Sequence, residues 1–358
     1  MKILITGICG FVGGTLARTF RDLDPSIEIL GIDNFIRPGS ELNRLDLKRR
    51  GIHVRHADLR SPSDIEALPG ADYLIDAAAN PSVLAGVDGQ TSSRQLLEHN
   101  LSGTINLLEY CKAAKAGFIL LSTSRVYAIE PLVNIPVKVV NQAFTPDVDR
   151  PLPHGVSALG VAEDFSTEPP LSLYGTSKKA SELLALEYGA TFGFPVWINR
   201  CGVLAGAGQF GRADQGIFAY WLNSFLRQKP LKYIGFEGTG YQTRDCLHPS
   251  DVARLLLKQI KQASQKGFPS IINVAGGTEQ SMSLAQLTEW CANRWPNHKR
   301  SVASDLTPRP FDIPWMALDS SLAKASWNWE PQLSLNSILE EIALHAEAHP
   351  DWLEISAP

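Results

Sequence analysis

The sequence predicts an α/β fold, a doubly wound parallel sheet with helices on both faces. Three observations carry that prediction. The β-rich apolar run Lys2–Thr6 passes through three spaced glycines, Gly7, Gly10 and Gly13, into an amphipathic stretch reaching Phe20. Strand, glycine turn and helix in that order form a turn whose free N–H groups and helix dipole suit a pyrophosphate. A second apolar run from Ile27 ends at Asp33, placing a carboxylate at a strand tip, where it can accept hydrogen bonds from ribose hydroxyls. Short apolar runs then alternate with helical periods as far as residue 200, the rhythm of parallel strands joined by crossover helices.

The elements follow in chain order. Strands are predicted at Ile52–His56, leading to Asp58, at Tyr73–Asp76, running into Ala77–Ala79, and at Phe118–Leu121 and Val196–Asn199. Helices are predicted over Gln95–Ala116 and Lys178–Phe192. The segment Ile129–Pro170 is richer in proline and valine, has no clean period, and reads as a long, partly extended insertion near the mouth of the site. Beyond residue 200 a glycine-rich stretch, 202–216, precedes a helical run, Ile217–Arg227, and short strands then alternate with helices. The expected organisation is a Rossmann-type domain over 1–200, with 201–358 mainly a smaller, interleaved α/β substrate domain. Asp351–Pro358 reads as a loose tail.

Composition narrows the function. The chain has 358 residues, 44% hydrophobic and 20% charged, with a formal net charge of -4. That balance argues against a nucleic-acid surface, and the cluster Lys48, Arg49, Arg50 and Arg55 reads as a solvated face. Five scattered cysteines form no CxxC pair and no metal-ligand spacing, so reduced, buried thiols, no metal and a cytoplasmic setting are expected. Glycines interrupt the apolar N-terminal stretch, which excludes a signal peptide on this reading, and no run is long enough to span a membrane.

The chemistry centres on Leu173-Tyr174-Gly175-Thr176-Ser177-Lys178. Tyr174 and Lys178 stand four apart, on one face of a helix. An ammonium beside a phenol favours the phenolate, and the pair then takes a hydroxyl proton while hydride leaves carbon. A tyrosine and a lysine at that spacing also occur on ordinary surface helices, so the pair acquires meaning only beside the glycine turn and Asp33.

With Gly7-x-x-Gly10-x-x-Gly13, Asp33, Tyr174-x-x-x-Lys178 and the run Leu121–Tyr127, the chain resembles the extended short-chain dehydrogenase/reductase superfamily of nucleotide-sugar enzymes over nearly its whole length. Within it, Gln209-Phe210, Asp214-Gln215-Gly216 and Arg244–His248 with Asp251 resemble the CDP-tyvelose (CDP-paratose) 2-epimerase group. The resemblance implies NAD as cofactor, held by Gly7, Gly10, Phe11, Val12, Gly13, Asp33, Asn34, Asp58, Leu59, Ala77, Ala78, Ala79, Asn100, Ser122, Tyr174, Lys178 and Cys201. It implies Thr123, Tyr174 and Lys178 as the catalytic trio. Substrate contacts are implied at Asn80, Ser82, Thr123, Arg125, Gln209, Asp214, Gln215, Arg244, Arg309 and Asp312. Arg37 lies close enough to Asp33 to blur a preference for NAD over NADP.

Departures from the pattern bear on the reaction. Val203, Cys201, Ala205 and Ala128 replace residues that relatives carry near the sugar and nicotinamide. Ser124-Arg125 stands where dehydratases have an Asp-Glu pair and decarboxylases a glutamate, which favours epimerisation by transient oxidation. A UDP-sugar 4-epimerase, an NAD(P)H-dependent sugar-nucleotide reductase and a non-catalytic NAD sensor or scaffold are the alternatives. The nucleotide base, the sugar and the inverted carbon, 2 or 4, stay open. In relatives the helices corresponding to Gln95–Ala116 and Lys178–Phe192 form a four-helix dimer interface, so a homodimer is expected.

Overall fold

Runs of isoleucine, leucine and valine become the seven strands of one parallel sheet. They are β1 (Lys2–Thr6), β2 (Glu28–Asp33), β3 (His53–His56), β4 (Tyr73–Asp76), β5 (Gly117–Thr123), β6 (Val196–Cys201) and β7 (Ile271–Val274), in the spatial order β7-β6-β5-β4-β1-β2-β3. The computed structural model describes residues 1–87, 89, 92–212, 215–265, 267–298 and 301–356. Side chains alternate across the sheet, as a period of two requires. Ile3, Ile5, Ile75, Ile119 and Leu121 enter one core, and Leu4, Leu74, Phe118 and Leu120 the other.

Helices α1 (Phe11–Leu23) and α5 (Pro249–Lys261) cover the first face; α2 (Gly103–Ala114) and α3 (Leu173–Phe192) cover the second. Each fully buried aliphatic side chain in these layers contributes about 1.5–3 kcal/mol. A third core gathers α4 (Ile217–Leu226), Leu284–Arg294 and α6 (Leu335–Ala348). The chain leaves β1 toward β2 and β3, then returns to β4 on the other side. The sheet therefore has its switch point between β1 and β4, and a ligand crevice opens there beyond the carboxyl ends of the strands.

Four local readings are corrected. The predicted helix over Gln95–Ala116 is three pieces: Ser93–Leu97, a π-type turn Glu98–Ser102, and α2. Within the π-type turn Asn100 is buried, bonded to Asn80 and Ser177. Helix α3 starts earlier than periodicity suggested, because the Ser172 hydroxyl accepts the Gly175 N–H at 3.0 Å and caps it. The insertion is more ordered than read: it forms the helix Ile129–Val133 and two hairpins, packed on Ile313–Leu318. Residues 351–356 are not a loose tail but carry a short helix, α7 (Trp352–Ile355), with Trp352 buried. The basic cluster is exposed, and all five cysteines are buried and free.

Candidate active site

The glycine turn is a backbone cradle. Gly7 has φ +60°, and a Cβ there would stand 3.0 Å from the Ala78 Cα. A Cβ on Gly13 would stand 2.3 Å from the Gly7 carbonyl oxygen, so only glycine lets α1 approach the turn. Asp33 sets the turn from the next strand, its Oδ2 accepting the Cys9 N–H at 2.9 Å and its Oδ1 the Phe35 N–H at 2.8 Å. Burial raises the Asp33 pKa, with these backbone donors opposing. The Thr6 hydroxyl donates to Asp76 at 2.7 Å and accepts the N–H groups of Ala77 and Ala78, both at 3.1 Å, which shapes the third loop. Asn34 and Arg60 both bond Asp58, and the Arg60 bond holds that carboxyl well below its usual range.

These elements surround a cleft of about 720 Å³. Gly7, Asp33, Asn34, Asp58, Leu59, Ala78 and Ala79, expected to hold NAD, line it, and so do Asn80, Ser82 and Gln215, which were expected at the substrate. Gln95, His99, Tyr220, Lys229 and Leu353 also line it and were not foreseen. Gln95 and His99 are four apart, a spacing that sets two residues on one helix face; that was the available signal. Arg37 donates to the Phe210 carbonyl at 2.7 Å and lies over its ring, so its guanidinium is engaged across the cleft mouth.

The tyrosine site lies at the ends of β5, β6 and α3. The Thr123 hydroxyl accepts the Arg125 N–H at 3.2 Å and lies close enough to the Tyr174 phenol to favour its ionised form, and strand register sets Cys201 beside Thr123. A close approach makes this possible: a Cβ on Gly175 would meet the Arg125 carbonyl oxygen at 2.1 Å, so glycine lets α3 rest on the turn after β5. Lys178 is buried, and its ammonium acts on Cys201, whose thiol burial pushes up to about 12. Burial likewise pushes the Tyr174 phenol up to about 12, against the nearby Thr123 hydroxyl and the Arg125 charge, which pull it down. The expected depression of Tyr174 by Lys178 is therefore not what this structure shows: desolvation dominates, and the cation felt by the phenol is Arg125.

A second cavity, about 360 Å³, adjoins the cleft, with Leu84 and Tyr220 lining both. Arg125, Arg244, Arg309 and Asp312 meet in it, drawn from segments far apart in sequence. Arg244 pairs with Asp312 at 3.0 Å. Arg125 donates to the Phe311 carbonyl at 3.2 Å, while burial and the Arg244 charge pull its pKa down to about 10. Its nearest carboxylate, Asp312, is thus already paired, and the guanidinium lines the cavity ready for a ligand anion.

Some predicted residues stand elsewhere. Gln209 lines neither cavity; its Nε2 donates to the Leu204 carbonyl at 2.7 Å. The Ser122 hydroxyl turns away, donating to buried Glu182 at 2.6 Å. Glu182 also holds Arg200 at 2.8 Å, and Arg200 reaches the Tyr127 hydroxyl, a buried network that sequence reading missed. Asn100 ties the Asn80 loop to Ser177 on α3 rather than lining the cleft. Asp214 lies outside the described residues.

A glycine cradle with a strand-end carboxylate, joined to a Thr–Tyr–Lys site, defines an NAD-dependent enzyme of the epimerase type. Residues 3–275 match the model of the NAD dependent epimerase/dehydratase family, and the chain belongs to that family. The CDP-paratose 2-epimerase of Salmonella typhi is 31% identical over 296 residues, covering 80% of this chain and 82% of that protein. A UDP-glucuronate 4-epimerase of Thermodesulfobacterium geofontis is 26% identical, covering 94% of this chain and 93% of that one. The solved structure of UDP-glucuronic acid 4-epimerase from Bacillus cereus in complex with NAD superposes with a TM-score of 0.74 at 25% identity, covering 98% and 100% of the two chains. The cleft fits that cofactor: Gly7 lines it without a side chain where the turn would meet a pyrophosphate, Gly13 lets α1 close on that turn, and Asp33 stands at the strand end for a ribose. Among the described residues no helix is long and apolar enough to cross a membrane, and no cluster of His, Cys, Asp or Glu suits a metal.

Proposed function

We propose that the chain epimerises a nucleotide-diphosphate sugar by transient oxidation to a keto-sugar and return of hydride to the opposite face, in the manner of CDP-paratose (CDP-tyvelose) 2-epimerase. The observation that carries this reading is the buried Tyr174–Lys178 pair at the end of β5, beside a cavity with Arg125 where an eliminating enzyme needs a carboxylate. Bound NAD supplies the hydride acceptor and donor and a positive charge near the phenol. Tyr174 removes the sugar hydroxyl proton and later returns it, and Thr123 holds the reacting oxygen. Lys178, buried on the same helix, orients the site. Arg125, Arg244 and Arg309 hold the diphosphate and steady the keto-sugar while it turns.

Residues 1–200 serve NAD on this reading and 201–358 mainly the sugar nucleotide, with Gln215 and Ser82 at the boundary. The protein acts in the cytoplasm as a homodimer, joined through the surface around α2 and α3, where Leu97, Ile105 and Leu183 are exposed. Inversion at carbon 4 of a UDP-linked sugar is the second reading, supported by the relative aligned over 94% of this chain.

The test is incubation with CDP- and UDP-linked hexoses in deuterated water, followed by NMR. Inversion without deuterium at the inverted carbon is expected, and the carbon and base that react separate the two readings. Deuterium at that carbon, or steady loss of nicotinamide absorbance as in a reductase, would overturn the proposal.

A further inference from the structure

The strap 204–212 crosses the mouth of the NAD cleft, where Gly211 and Arg212 line it together with Gln215, and one side chain fastens it from outside. Trp352 stacks on Phe210, ring centroids 5.4 Å apart at 18°, and its Nε1 donates to the Gln209 carbonyl at 2.9 Å. The same rings pack with Phe11, the first residue of α1 after the glycine turn. From the opposite lip, Arg37 lies 5.7 Å from the Phe210 ring centroid and donates to its carbonyl. Helix α7 is itself held: Arg227 donates to the carbonyls of Pro350, at 2.9 Å, and Ala346. Leu353, next to Trp352, faces the cleft.

We infer that Trp352 is a positioning residue for the cofactor: through Phe210 and Gln209 it pins the strap across the cleft mouth, so that NAD stays resident between turnovers. The physical argument is local. Phe210 stands at the meeting of three elements, and only the tryptophan supplies both a flat face for its ring and an N–H for the preceding carbonyl. Without the tryptophan, Phe210 keeps only Arg37 on one lip and its packing against Phe11, and the Gln209 carbonyl loses its donor. The inference rests on the reading that hydride is returned by the same NAD, because only such an enzyme benefits from retaining its cofactor.

The experiment uses the full chain loaded with NAD and no sugar. Dissociation of NAD is followed after dilution into an excess of an NAD-consuming dehydrogenase. Trp352→Ala is expected to release NAD about tenfold faster, and Trp352→Phe, which keeps the stack and loses the N–H, to restore most of the retention. Leu353→Ala, a milder change in the same helix, is expected to speed release about threefold and covers the case in which Trp352→Ala does not fold. Release at the wild-type rate from folded Trp352→Ala, or from Leu353→Ala should Trp352→Ala not fold, would overturn the inference, even with a lowered melting temperature. Because no sugar is present, these rates are independent of the isotope result that tests the epimerase reading.

Discussion

The NAD cleft and the arginine-lined cavity share a wall yet are built on opposite principles. The cleft is read by backbone: a glycine turn, a strand-end aspartate and the alanine loop Ala77–Ala79, each a short stretch at the end of a strand. The cavity is lined by side chains, with Arg125, Arg244 and Arg309 arriving from three distant segments, Arg244 held by Asp312 and Arg125 by the Phe311 carbonyl. The first arrangement accepts one cofactor and tolerates little change. The second can alter its ligand through a single residue while the sheet stays as it is.

The sharpest way to break that contrast is Gly13→Val. Its Cβ would fall 2.3 Å from a backbone oxygen that cannot step aside. NAD affinity is expected to fall by at least about a hundredfold, with stability lowered by roughly 1–3 kcal/mol, read by calorimetry. A variant that still bound NAD normally would show that the cleft is less dependent on backbone approach than argued.

Arg125→Gln tests the other half. Losing a charged hydrogen-bond donor of this kind costs about 2 kcal/mol, so kcat/KM for the sugar nucleotide is expected to fall about 30-fold. NAD affinity, measured by fluorescence titration, should stay unchanged. A parallel loss of NAD affinity would mean that the two cavities do not read their ligands separately.

The smallest effect concerns Tyr174, at the boundary of the two. Burial raises its folded pKa to about 12, above the usual phenol value near 10. A raised folded pKa means that its contribution to stability is complete below pH 10 and is lost as pH climbs toward 12. Between pH 10 and 11 the NAD-free wild type should therefore lose about 1 kcal/mol more than Tyr174→Phe in urea unfolding. An identical loss in both would place the phenol in water rather than in the interior.

How much of this could be read from the chain follows from the same contrast. Gly7, Gly10, Gly13 and Asp33 were legible because a turn and a strand end are local. Tyr174 and Lys178 were legible because helical spacing is local. The start of α3 was missed by several residues because its cap is a single serine hydroxyl, and the break before α2 because a π-type turn leaves no mark on periodicity. The buried Glu182–Arg200 pair joins α3 to β6, and Trp352 meets Phe210 across more than a hundred residues; neither pairing follows from any window of sequence. Phase alone could not tell a tail from a docked helix, since Trp352 is buried only by partners that the fold brings to it. The role expected of Lys178 in lowering the phenol pKa failed for a related reason: spacing shows which charges are neighbours but not how much water the fold removes.

Leu84 and Tyr220 have a further consequence. On the proposed reading, a sugar whose oxidised carbon must present its other face has to pivot while its diphosphate stays gripped, and the two side chains that line both cavities bound the room for that swing. The breadth of sugars accepted is thus a matter of clearance at a partition, set by one aliphatic and one aromatic residue that take no part in bond making. Enlarging or narrowing that passage would change which hexoses complete the rotation, while the proton and hydride chemistry stayed the same.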